Sequence, residues 1–221
     1  HWRATPWFAQ ARVLEIPEEA TRVAMLKVGE ADIAQIGLPN VKEIQSIPNV
    51  QLIEGQYLGQ DGANVYLAGQ YFSEKMDDGS PTNRQLDTSI PWVGDPRNPQ
   101  SMERARKVRL AMSMAIDRQA IIDTILAGRG CPSYIFSVNS CSPLWQEKWT
   151  VPYDPARARQ LLAEAGYPNG FEFTFFIPTQ VSPTREEIGE ALIPMWEAIG
   201  LKVKVDKSAY SARRPEMLAR T

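Results

Sequence analysis

Histidine is almost missing from this chain of 221 residues: the one that occurs is His1. The usual nucleophile, base and orienting-acid triads therefore have no base. No GxSxG elbow, HExxH helix or GxxxxGK[ST] phosphate loop is present either, which removes the motifs that would point to a serine hydrolase, a zinc peptidase or a nucleotide hydrolase. Cysteine occurs twice, as Cys131 and Cys141, at a spacing unlike a CxxC knuckle, so no metal site is expected. No apolar run approaches the roughly 20 residues needed to span a bilayer, and the first residues lack the basic-then-apolar pattern of a signal peptide. Lys and Arg are scattered, and the formal net charge is -2. That gives no electrostatic footprint for nucleic acid.

What is present fits a globular α/β chain. Hydrophobic residues make up 43%, enough to bury a core in one large domain or two modest ones. Strands are expected at 13–16, 31–36 and 50–54, with helices at 18–28, stopped by Gly29, and at 41–47. Gly55, Gly59 and Gly62 loosen the chain before 64–68. From 70 to 101, Pro, Gly, Asp, Asn and Ser dominate, which reads as a long loop with Trp92 pinning its end onto the domain.

Beyond that loop the local signals sharpen. Ala105, Val108, Met112 and Ala115 recur at helical spacing, Asp117 is a cap for a second helix, and Gly128 closes it. Asp154 caps a helix with Pro155 at its first position, Ala158, Leu161, Leu162 and Ala165 as its stripe, and Gly166 as its stop. Phe171, Phe173, Phe175 and Ile177 alternate on one strand, and Leu201, Val203 and Val205 on another. Between them Ile188, Ala191, Leu192, Met195 and Ile199 line a helix that Pro194 is expected to kink. This strand, helix and strand imply a right-handed parallel crossover.

The acidic pairs read as structural. Glu18 with Glu19 and Glu186 with Glu187 sit in first helical turns, where negative charge meets the helix dipole, and Asp77 with Asp78 sits in a loop. Arg118, beside the capping Asp117, is expected to be solvated or ion-paired. The two cysteines bracket a short loop of Ser, Asn and aromatics, and both a disulfide and two partly buried thiols remain open. A disulfide there would contribute about 2 to 3 kcal/mol in the chain-entropy model.

The strings ARKVRLAMSMAIDRQAIIDTILAG (105–128) and YDPARARQLLAEAGYPNGFEFTFFI (153–177) resemble the extracellular solute-binding proteins of family 5, which serve peptide, nickel and opine ABC transporters. His1 and Trp2, residues 13–16, PEEATRVAMLKVGEADIAQI (17–36), YLA (66–68) and 190–205 resemble further stretches of that family in the same order. The resemblance implies an α/β fold, a central fragment of a two-lobed periplasmic-binding-protein-like architecture with mixed sheets flanked by helices. Residues 1–62 would belong to the first lobe and 63–221 to the second, with the long loop at about 70–101 as an insertion.

Function follows from the resemblance as an expectation. The implied protein is a monomeric, extracytoplasmic component of an ABC importer, periplasmic or extracellular, lipid-anchored in its full-length form. It holds a solute, first of all a short peptide, between two lobes and hands it to a membrane permease, with no cofactor and no chemical step. An exported protein also implies that Cys131 and Cys141 are bonded. The first-choice ligand contacts are Gln60, Asp61, Asn64 and Tyr66, because apolar walls and a few polar groups mix there at the implied junction. Tyr66 lies within a string shared with the family, and the others are chosen by proximity. Asp61 suits a peptide amino terminus. The competing expectation is a turn at Asp61, Gly62 and Asn64 with Tyr66 in the core. Trp145 and Trp149 rank lower as exposed aromatics. The alternatives to a binder are a structural fragment without a complete cleft and an α/β hydrolase, which would need a nucleophile that the chain does not identify.

Overall fold

The computed structural model describes residues 9–37, 40–53, 63–70, 79, 86–136, 138–179 and 182–219. They divide into two units, His1–Gln56 and Tyr57–Thr221.

In the first unit, α1 (Glu19–Val28) ends where Gly29 takes a left-handed conformation, φ 74°, and α2 (Val41–Gln45) follows. Among the described residues of this unit Val23, Val41 and Ile44 are buried. Two α1 side chains fasten the flanking segments. Arg22 donates to the carbonyls of Pro17 (2.8 Å) and Gln35 (3.0 Å), and the Glu19 carboxylate accepts from the Gly37 N–H and the Asn40 amide, both at 2.7 Å. The strands expected at 13–16 and 31–36 do not form, nor does the described part of the third, 50–53. A strand needs a paired backbone and one buried face. Here Arg22 takes nearby carbonyls, while Val13, Ile33 and Ile53 are 95%, 92% and 83% exposed, so no buried face rewards pairing.

In the second unit, the loop expected to run to 101 ends earlier. Asn98 accepts from the N–H groups of Gln100 (3.0 Å) and Ser101 (3.2 Å) and so caps α3 (Pro99–Met114), with Pro99 at the first position. Trp92 does pin the segment before it: its indole N–H donates to the Ala68 carbonyl at 2.7 Å, and its ring lies 6.1 and 5.8 Å from Phe171 and Phe173. The Asp117 carboxylate caps α4 (Arg118–Thr124) through the Ala120 N–H, and the Asp154 carboxylate caps α5 (Pro155–Glu164) through that of Arg157. The strands β3 (Glu172–Thr179) and β4 (Lys202–Ala209) run parallel in register from Glu172 opposite Lys202 to Thr179 opposite Ala209, joined by α6 (Pro183–Glu197). The chain continues into α7 (Tyr210–Ala219).

Both helical stripes read from the sequence are buried, and they meet Leu192, Trp196, Ile199 and Leu201 in one core. The C-terminal end of α3 is where these elements converge. The last carbonyls of a helix have no partner inside it, and here the final three receive donors from other elements. Met112 accepts from the Trp196 indole N–H (3.0 Å), Ser113 from Arg118 (3.0 Å), and Met114 from the Asp154 N–H (2.9 Å).

Candidate functional site

Between α4 and α5 lies a short antiparallel hairpin, β1 (Ser133–Ile135) with β2 (Val138–Asn139), in which Ser133 faces Asn139 and Ile135 faces Val138. Two short strands are marginal by themselves, so something else must hold them. Cys131 and Cys141 are joined as a disulfide across its base, their Cα atoms 5.8 Å apart.

Arg118 supplies the second constraint. Its guanidinium donates to the carbonyl and hydroxyl of Ser113 (3.0 and 2.9 Å), to the Ile116 carbonyl (3.3 Å) and, across to the hairpin, to the Ser133 carbonyl (3.0 Å). The same group lies 4.6 Å from the centre of the Tyr134 ring, a cation–π contact. Burial pulls its pKa below the ordinary arginine value, with Tyr134 acting in the opposite sense. The expectation of a solvated or ion-paired Arg118 is thus corrected. The planar fork is spent on carbonyls, joining the end of α3 to the hairpin, which a lysine could not reproduce.

The hairpin carries an aromatic surface. Tyr134 lies 5.6 Å from Trp145, which lies 5.6 Å from Trp149, making a run of half-buried rings. At the hairpin tip Phe136 meets Tyr66, ring centres 6.5 Å apart and planes at 55°, and each of these two residues is 71% exposed. Of the four residues singled out from the sequence, Gln60 and Asp61 lie outside the described residues. Asn64 is exposed and has an interaction of its own. Tyr66 is not in the core. Sequence reasoning missed Phe136 as its neighbour, although an aromatic run inside a cysteine bracket was a readable signal.

Replacing both cysteines with serine tests the hairpin's contribution to stability. The unfolding free energy is expected to fall by about 2 to 3 kcal/mol, the loop-closure value for a short loop, measured by denaturant titration. An unchanged midpoint would mean that Arg118 alone holds the hairpin.

A separate depression of about 340 Å³ is lined by Pro99, Gln100, Glu103, Arg104, Lys107 and Glu164. It shares no residue with the aromatic surface, and its charged groups have partners: Lys107 pairs with Glu164 at 2.9 Å, Glu103 with Arg106 outside the lining at 2.7 Å, and Arg104 donates to the Thr88 carbonyl at 2.8 Å. Of the acidic pairs, Glu19 is engaged as above and Glu186 faces Lys207 at 3.8 Å. Asp77 and Asp78 lie outside the described residues. Among the described residues no helix is long and apolar enough to cross a membrane.

Comparison with known proteins bears on the family and the fold. Residues 1–220 match the family model for bacterial extracellular solute-binding proteins, family 5, middle region. Heme-binding protein A of Haemophilus influenzae is 32% identical over 215 residues, covering 91% of this chain and 32% of that protein. Di/tripeptide-binding protein 1 of Pseudomonas aeruginosa is 38% identical over 106 residues, 45% of this chain and 19% of that protein. HbpA2 from Haemophilus parasuis aligns with a TM-score of 0.56 at 24% identity, over 91% of this chain and 34% of its own. The oligopeptide-binding protein AppA from Bacillus subtilis, solved with a nonapeptide, aligns with a TM-score of 0.54 at 21% identity, over 91% of this chain and 36% of its own. At these identities the structural likeness speaks for the fold, the α/β fold of two-lobed periplasmic binding proteins. The chain spans about a third of the length of the relatives it matches over most of its own residues. It belongs to the bacterial extracellular solute-binding proteins of family 5.

Proposed function

We propose that this chain is part of the solute-capturing component of an ABC importer, with a short peptide as its solute and no chemical step. Residues 1–62 contribute to the first lobe and 63–221 to the second. The whole protein works as a monomer outside the cytoplasmic membrane, lipid-anchored in its full-length form, and delivers solute to a permease. The observation that carries this reading is the family match across residues 1–220. The peptide is favoured by the 38% identity to a di/tripeptide-binding protein. Gln60, Asp61, Asn64 and Tyr66 are the proposed contacts, and the exposure of Tyr66 supports its place among them.

One observation favours a second solute class. The relative that matches 91% of the chain at 32% identity is named for heme, so a flat tetrapyrrole is the alternative cargo.

Thermal unfolding followed by tryptophan fluorescence separates these readings. The chain is heated alone and with mixed di- to pentapeptides, haemin, nickel chelates or oligosaccharides. A ligand held only by the folded state stabilises it by about 2.7 kcal/mol at roughly 100 times its Kd. A concentration-dependent rise with peptides is the expected result. A rise with haemin alone favours the second cargo, and a cooperative transition that nothing moves contradicts both and leaves a structural fragment.

A further inference from the structure

We infer that Tyr66 and Phe136 form a subsite for a neutral aromatic side chain of the bound solute. The inference rests on the peptide-binding reading above and names what one part of that site selects.

Three observations carry it. First, the two rings are open. Each residue is 71% exposed, and the 6.5 Å separation with a 55° tilt leaves a corner between ring faces. A third ring entering it finds both partners within the 4.5 to 7 Å range of favourable aromatic geometry.

Second, the corner is built on a constrained support. Phe136 sits at the tip of a hairpin closed by the Cys131–Cys141 disulfide and anchored to the end of α3 by Arg118. Neither ring belongs to the hydrophobic core. The constraint therefore fixes the backbone that presents an exposed ring, and ordering that support before binding lowers the entropy cost of complex formation.

Third, the segments that supply the rings carry no charge. From Gly62 to Ser73 and from Cys131 to Gln146 there is no Asp, Glu, Lys or Arg, in a chain of which 23% is charged. The Arg118 cation, which lies against Tyr134 in the same hairpin, is committed to carbonyl oxygens. A charged side chain of the solute meets no counter-charge from either segment, Asp61 beside the first being assigned to the peptide amino terminus, whereas a neutral ring gains stacking and loses little hydration.

The test compares Ala-Phe-Ala, Ala-Ala-Ala, Ala-Lys-Ala and Ala-Glu-Ala by fluorescence titration of the unmodified chain, Phe136→Ala and Tyr66→Ala. The unmodified chain is expected to bind Ala-Phe-Ala about five- to tenfold more tightly than Ala-Ala-Ala, as contact with two rings implies. In each variant that ratio is expected to drop below about threefold. The thermal midpoint of each variant, read alongside, reports that it is folded, and both positions are exposed enough to tolerate alanine. Equal affinities for Ala-Phe-Ala and Ala-Ala-Ala in the unmodified chain overturn the subsite while leaving peptide binding intact. So does a preference that survives both substitutions, or one that favours Ala-Lys-Ala. If no tripeptide binds, the peptide reading fails and the subsite with it.

Discussion

Trp196→Ala is expected to destabilise the second unit by about 3 to 5 kcal/mol, the range for removing a large buried aromatic. A loss of that size is a large fraction of the about 5 to 15 kcal/mol by which domains are stable, so the variant's unfolding midpoint is expected to fall well below that of the unmodified chain. Trp196 is 1% exposed. Its ring makes edge contacts with Phe173 and Phe175, centres 5.5 and 4.9 Å away, and thereby ties α6 to β3. Its indole N–H also satisfies the Met112 carbonyl at the end of α3. Phenylalanine at 196 keeps much of the packing and leaves that carbonyl without its donor, so Trp196→Phe should cost about 1 to 3 kcal/mol beyond the lost area. Denaturant unfolding of both variants checks the division between packing and hydrogen bonding. Equal losses for Phe and Ala would mean that the bond, rather than the ring, dominates.

The second large effect is expected at Gly170. Its φ is 70°, and a Cβ there would lie 1.8 Å from the Gly200 carbonyl oxygen and 2.5 Å from its carbon. Those atoms are backbone, at the point where the Lys202 N–H meets the Phe171 carbonyl and the parallel pair begins. Gly170→Ala must therefore adopt a left-handed backbone, about 1 to 2 kcal/mol, and also push apart two turns, about 1 to 3 kcal/mol more. Gly166 provides the control, since its φ is 91° but nothing lies within 4 Å of its would-be Cβ. Gly166→Ala should show the backbone cost alone. The difference in midpoint between the two variants then reports the collision, and no difference would mean that the turns of Gly170 and Gly200 are not in contact.

The parts legible in the sequence are those written locally. Asp117 and Asp154 cap within three residues, Gly29 and Gly166 stop helices with their own backbone, and the stripes of α3 and α5 need only a period of 3.6. The Asn98 cap was equally local, but the polar composition around it masked the helix start. What was illegible depends on distant partners. The apolar residues near 13, 33 and 53 look like strands until one asks what they pair with. Arg118 reads as a surface charge until the hairpin carbonyl fifteen positions away is brought to it. Trp196 lay just off the predicted stripe, and only the approach of α3 shows why it is the most deeply buried large side chain of α6.

The candidate site follows the same rule. Tyr66 was found through a family-like string, whereas Phe136 joins it through a contact spanning seventy positions that no local pattern encodes. The disulfide and the Arg118 clamp hold the hairpin that presents Phe136. They do so without adding charge to the segments that bear the rings.

The most direct test of solute capture by these residues is a calorimetric titration of the intact chain with Ala-Phe-Ala. The account predicts a saturable heat with a stoichiometry of one, abolished by thermal unfolding of the chain. Heats indistinguishable from dilution up to millimolar peptide would contradict it and return the chain to a folded segment without a working site.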